Sequence, residues 1–287
     1  MAIHNEVNRL HPCFSGGCGA KGSRGRLHLP VAGRCNIKCR FCERAFNRDE
    51  NRPGVSARIL EPADAAAIVG RALELCPEIT VAGIAGPGDA LASDSAVKTF
   101  EAIDGFGLIK CMSTNGLLLP EYAERLEAAK VTALTVTVNA VREDILDGIV
   151  SSVSYGGKVY SGAEGAKILI KNQIDGIRAA SRFAVVKVNT VLIPGKNDGH
   201  IKDIARAAAE AGASMINIIP LIPAGEFKNT IPPDCGMLQK ARADAENFLP
   251  VFRNCMRCRA DACGIPGVSE FSDKLYADGE YETFSHG

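Results

Sequence analysis

Between residues 26 and 222 the chain alternates short apolar runs with longer segments whose apolar residues recur every three or four positions. The first kind predicts strands and the second helices. RLHLPV (26–31), ITVAGIA (79–85), LIKCMST (108–114), ALTVTVNAV (133–141), FAVVKVNTVLI (183–193) and MINIIPLI (215–222) give six strands. EPADAAAIVGRALELC (61–76), SDSAVKTFEAI (93–103), PEYAERLEAAK (120–130), AKILIKNQIDGIRAAS (166–181) and HIKDIARAAAEAGA (200–213) give the helices between them. Pro62 suits a first helical turn, and Ser93 suits a cap. Several strands are apolar along their whole length, as strands covered on both faces are. The class is α/β, a parallel sheet under helices. Right-handed crossovers then put every strand's C-terminal end on one rim.

Three stretches fall outside this frame. DGIVSSVSYGGKVYSGAEG (147–165) is a Gly- and Ser-containing excursion. Residues 1–25 read as an irregular N-terminal extension that becomes Gly-rich. Residues 223–287 read as a C-terminal extension with a helix near 236–247 and then RNCMRCRADACGIPG. No separate second domain is indicated, and both ends are expected to fold back over the barrel formed by 26–222.

Composition narrows the function. Lys plus Arg and Asp plus Glu number 33 each, which argues against a nucleic-acid partner. No apolar run is long enough to span a membrane, and MAIHNEVNRLHPCF has no signal-peptide core, so a cytoplasmic location is expected. There are eleven cysteines, an odd number and too many for simple packing. In a reducing compartment metal or redox chemistry explains them better than disulfides.

GRCNIKCRFCERAF (33–46) places Cys35, Cys39 and Cys42 after the first strand. Three thiolates can hold a four-iron cubane and leave one iron open for a small chelating molecule. The competing reading is a zinc site completed by a remote Cys or His. Of the other thiols, Cys76 lies in an apolar helix and reads as core, and Cys235 lies in a turn-like stretch. Cys255 and Cys258 form a CxxC with Cys263 close behind. Cys111 sits on the third strand, facing either the lumen or the helices. Cys13 follows His11 in HPCFS, and Cys18 lies in a Gly-rich loop. Six thiols and one histidine are enough for two further clusters.

The triplet resembles that of the radical SAM superfamily. The resemblance implies a partial (β/α)6 TIM-like barrel of the radical SAM type, with S-adenosylmethionine on the open iron. Polar strand ends fit the same molecule: Gly86, Gly88 and Asp89 in AGPGD, Ser113 and Asn115 in STNG, Asn139, and Asn189 with Val191. Gly86 and Gly88 permit close backbone approach, so that their N–H and C=O groups meet the methionyl amine. Each polar residue alone is commonly a turn-former.

HPCFS, CNIKCRFC, NRPGV, GIAGPGD, STNGL, VKVNTVLIPGKND, NIIPLIP and CMRCRADACG, in this order over residues 11 to 265, are similar to the NifB family. That resemblance, to the short form found in archaea, implies three [4Fe-4S] clusters. One binds S-adenosylmethionine through Cys35, Cys39 and Cys42. Two are precursors fused around a carbide derived from S-adenosylmethionine, with an extra sulfur, into the eight-iron precursor of the nitrogenase cofactor. His11, Cys13, Cys111, Cys255 and Cys258 fall in the family's cluster-binding words. Cys111 and Glu50 fall where the resemblance places chemistry, Glu50 as a proton relay. Cluster-donor proteins, a reductant and a cofactor-maturation scaffold are the implied partners. The chain lacks the family's paired histidines after HPCFS and a further Cys before NRPGV. Cys18 and Cys263 are expected to replace them. The alternatives are a paralogue acting on another cluster or substrate, or an iron–sulfur scaffold.

Overall fold

A computed structural model describes residues 2–15 and 23–276. In chain order the strands are β1 (Gly25–His28), β2 (Ile37–Cys39), β3 (Ala45–Phe46), β4 (Val55–Ser56), β5 (Ile79–Ile84), β6 (Ile109–Thr114), β7 (Val131–Thr137), β8 (Val150–Tyr155), β9 (Lys158–Tyr160), β10 (Val185–Leu192), β11 (Met215–Pro220), β12 (Val251–Phe252) and β13 (Cys263–Gly264). The α-helices are α1 (Ala2–Leu10), α2 (Ala65–Leu75), α3 (Ser95–Ala102), α4 (Leu119–Ala128), α5 (Glu143–Asp147), α6 (Gly162–Ala180), α7 (Ile201–Glu210), α8 (Cys235–Glu246) and α9 (Ser272–Leu275).

The six expected strands pair in parallel in the order β11, β10, β7, β6, β5, β1. Side chains alternate across each strand. Leu27, Ala82, Ile84, Met112, Leu134, Val136, Val186 and Val188 belong to the main core between the sheet and its helices. Their neighbours His28, Gly83, Cys111, Ser113, Thr135, Lys187 and Asn189 line the lumen. The first set makes the fold, and the second is left for chemistry.

The sheet stays open. Beyond β11 the short β12 adds in parallel, and beyond β1 the short β13 adds antiparallel. Residues 253–262 therefore run from one edge of the sheet to the other. The C-terminal extension fills the gap of the partial barrel.

The N-terminal extension departs from expectation. Residues 2–10 are the helix α1, and it plugs the opposite end of the barrel. Val7 packs with Val81, Ile109, Ala133, Val185 and Met215, all near strand starts. Thr80 Oγ1 donates to the Leu10 carbonyl at 2.7 Å, and His4 Nε2 lies 3.2 Å from Ser214 Oγ. Val7 and Leu10 share the face of the helix that docks on the barrel, while Ile3 stays exposed. Nine residues are too few for a stable isolated helix, so the barrel floor supplies the stability.

The excursion at 147–165 also acquires structure. β8 and β9 form a hairpin across Gly156 and Gly157, whose φ of 57° and 75° suit a two-residue turn. β8 pairs antiparallel with β2, Ile37 opposite Val153 and Lys38 opposite Ser152. The loop that carries the cysteine triplet is thus anchored as a strand.

Candidate active site

The lumen holds a cavity of about 370 Å³, within the usual range for small-ligand sites. Cys35, Cys39 and Cys42 stand at its upper edge. The stretch before them lies on the GPGD turn: Gly88 N donates to Ala32 O at 2.6 Å and Asp89 N to Arg34 O at 2.7 Å. A Cβ at Gly88 would sit 2.0 Å from the Arg34 carbonyl oxygen, so the contact needs glycine. Beyond Cys39, a turn closes through Cys42 N to Cys39 O at 3.1 Å. Burial pushes the Cys35 and Cys39 thiols up, opposed by the Arg44 guanidinium, which is hydrogen-bonded to Cys35.

Several rim residues have structural duties. Asp89 is buried, accepting from Leu91 N at 2.9 Å, from Thr114 Oγ1 and from Asn115 N. Burial raises its pKa, and these donors oppose the rise. With the Gly88 and Asp89 N–H groups also engaged, the turn offers carbonyls rather than amides to a ligand. Of the N–H and C=O groups expected to meet the methionyl amine, the Gly88 and Asp89 amides are thus taken up. Asn115 Nδ2 donates to Asn36 Oδ1 at 2.6 Å and lies 3.8 Å from Cys35 Sγ, tying β6 to the triplet. Asn139 Oδ1 accepts from Val191 N at 2.9 Å. Asn189 Oδ1 accepts from Asn217 Nδ2 at 3.0 Å, which leaves Asn217 Oδ1 buried without a partner. Ser113 and Thr137 also line the cavity, and Gly86 stands nearby in the GPGD turn.

Deeper in the lumen, Cys13 and Cys111 join one cluster of buried side chains with Phe14 and Phe252. Cys111 points to the lumen, resolving the open choice of its orientation. Burial pushes Cys13 up to about 11 and Cys111 up to about 12, with the charge of Lys187 opposing in both. His11 is buried. Its Nδ1 accepts from Cys13 N at 3.1 Å, and its Nε2 has no partner. Cys255 and Cys258 enter from the arm that spans the gap. Arg257 between them takes a φ of 51°, a left-handed conformation uncommon outside glycine and typical of turns under functional constraint.

Four cysteine and carboxylate positions lie elsewhere. Cys18 lies outside the described residues. Cys263 is fully buried opposite Leu27, in the core under the helices and away from the cavity. It cannot replace a missing ligand from there, because strand alternation turns its side chain to the wrong face. Glu50 is exposed and does not line the cavity. Its carboxylate accepts from Asn47 Nδ2 at 2.7 Å and from Arg52 Nε at 2.6 Å, and Arg52 itself lines the cavity. Cys76 is in the core, as expected.

The Radical SAM superfamily model matches residues 29–208. The FeMo cofactor biosynthesis protein NifB of Methanocaldococcus jannaschii is 46% identical over 270 residues, covering 92% of this chain and 89% of the relative. The chain belongs to the NifB family of radical SAM enzymes. The Methanocaldococcus infernus NifB is 43% identical over 97% of this chain and 93% of its own length. Among solved structures, Streptococcus suis SuiB bound to S-adenosylmethionine superposes with a TM-score of 0.55 at 14% identity, covering 79% of this chain and 48% of that one. At that identity the likeness concerns the fold alone.

A radical SAM domain implies one S-adenosylmethionine-binding [4Fe-4S] cluster, and the donor set fits it. Three thiols edge the cavity with the half-buried Arg44 guanidinium against them. Among the described residues no three Cys, His, Asp or Glu converge on one point as ligands of a single metal ion. No helix is long and apolar enough to cross a membrane, among the residues described. Sequence reasoning missed Arg26, His28, Arg44, Gln173, Lys187 and Asn217. Their signal was a polar residue at every second position of an otherwise apolar strand, visible at Arg26, His28, Lys187 and Asn217.

Proposed function

We propose that this NifB-family enzyme joins two [4Fe-4S] substrate clusters into an eight-iron precursor of the nitrogenase cofactor. One carbon comes from S-adenosylmethionine, and one further sulfur is added. One observation carries the reading. A single lumen gathers thiols from four separate parts of the chain: the triplet, Cys13, Cys111, and Cys255 with Cys258.

The roles follow from position. Cys35, Cys39 and Cys42 would hold the radical SAM cluster, which supplies one-electron reductive cleavage of the bound sulfonium. The carbonyls of Gly86 and Gly88, with Ser113, Asn115, Asn189 and Val191, orient S-adenosylmethionine. Asp89 and Asn139 hold strand ends in register for it. His11, Cys13, Cys111, Cys255 and Cys258 bind the substrate clusters beneath and beside that rim. The arm at 253–262 keeps water from the gap. Cluster donors, a reductant and an acceptor scaffold complete the cycle.

Anaerobic reconstitution tests this reading. Iron should approach about twelve per chain and fall to about eight when the triplet thiols are replaced by serine. Carbon-13 from the methyl group of S-adenosylmethionine should appear within the extracted cluster. A product without that label would assign the chain to another substrate.

A further inference from the structure

Lys187 carries a charge that the fold leaves unbalanced. It stands on β10 facing the lumen and is 5% exposed. Its Nζ donates to the Cys13 carbonyl at 2.9 Å and lies 4.4 Å from the Phe14 ring centroid and 5.0 Å from that of Phe252. Among the described residues no carboxylate forms an ion pair with it. Lys110 makes the contrast. It is buried to the same degree, but its Nζ meets Asp104 Oδ1 at 2.6 Å and the Ala129 carbonyl at 2.9 Å.

Burying an ammonium without a counter-charge is costly, and one carbonyl and two ring faces offset only part of that cost. The groups around it are ligands rather than carboxylates. They are the thiols of Cys13 and Cys111 and the imidazole of His11, each within reach of its charge. A cubane held by these two thiolates is an anion once its core is reduced, and here it would meet a cation already fixed in place. We infer that Lys187 is the counter-charge of the substrate cluster seated over Cys13 and Cys111, and a positioning residue for loading it. This inference rests on the proposed function. It adds a reason why a cluster goes to the floor of the barrel, and the reason lies outside the cysteine pattern.

The test uses the full chain with Cys35→Ser, Cys39→Ser and Cys42→Ser, so that only substrate clusters contribute iron. Lys187 is kept, or replaced as Lys187→Met or Lys187→Arg. Iron and sulfide per chain, the rate of iron loss to a chelator, and the thermal midpoint of the cluster-free protein are measured. Lys187→Met should carry about four fewer irons, or release them about tenfold faster. Lys187→Arg should retain them. The cluster-free midpoint of Lys187→Met should equal or exceed that of its parent, because an unpaired buried cation has become an apolar chain of similar length. A lysine serving only the fold would give the reverse pattern, a lower midpoint with normal iron in the folded fraction. That result, unchanged loading and release in Lys187→Met, or equal losses in Met and Arg variants overturns the inference. A parent that takes up no iron overturns the cluster assignment itself, and the two failures are thereby distinguished.

Discussion

Arg26, in the first barrel strand, reaches the CxxC arm: its Nη2 donates to Cys258 Sγ at 3.5 Å. The same guanidinium bonds Glu270 Oε2 at 2.9 Å and the Gly264 carbonyl at 2.7 Å. One buried side chain thus holds the gap-spanning segment against the barrel and aims a cation at a sulfur. With a thiolate at Cys258 the contact becomes charge-assisted. A donor to a ligating sulfur favours the more negative, reduced cluster. Arg26→Gln should therefore lower the midpoint potential of a cluster bound at Cys258, and destabilise the fold by about 1–3 kcal/mol. A mediated redox titration followed by electron paramagnetic resonance checks the first effect, and denaturant unfolding the second. An unchanged potential in a folded variant would remove Arg26 from the site.

Cys263 gives a prediction of opposite kind. Its thiol is pushed up to about 12, chiefly by burial, and it packs in the main core near Tyr276. Cys263→Ala should leave iron per chain unchanged and cost about 1–2 kcal/mol through the small cavity created. Iron loss in the folded variant would restore the residue to the ligand set.

The contrast between Cys263 and Cys111 shows how far the sequence could be read. Six strands and their helices were legible because long periodic segments encode burial directly. The triplet was legible because its ligands are local in sequence. The facing of Cys111 and Cys263 was not, since one-residue register within a strand decides it and only pairing fixes that register. The path of α1 was hidden for another reason. Its docking residues, Val7 and Leu10, favour a helix only when the barrel floor is present. The β8–β9 hairpin is not legible because its strands are short and half polar, and pairing with β2 stabilises them.

The approach of the GPGD turn to the triplet loop is backbone on backbone. A methyl group at Gly88 would meet Arg34 O at 2.0 Å and Ala32 O at 2.7 Å, neither of which is a flexible side-chain end. Gly88→Ala should separate the two segments and displace Cys35. The expected result is a loss of about 2 kcal/mol or more in stability, with S-adenosylmethionine cleavage reduced by at least about tenfold. Unfolding curves and quantification of 5′-deoxyadenosine measure both. A variant with parental cleavage would show that the turn does not set the position of the triplet.

The imidazole of His28 makes the cluster-free protein acid-sensitive. Its Nδ1 is 2.8 Å from the Arg259 carbonyl, so that nitrogen carries the proton, and this bond opposes the loss of charge. Burial, with the nearby charge of Arg26, lowers its pKa to about 4, against about 6.5 in an unfolded chain. Between those values the unfolded chain binds a proton that the folded one does not. Stability is therefore fully present above pH ~6.5 and declines as pH falls toward ~4, by up to about 3 kcal/mol from this residue. His11 is shifted in the same direction and adds to the slope. Denaturant midpoints of the cluster-free protein measured between about pH 7.5 and about pH 4.5 should fall with acidification, and His28→Gln should flatten the decline. The same slope in that variant would assign the acid sensitivity to other groups, and a rise on acidification would contradict a neutral buried ring.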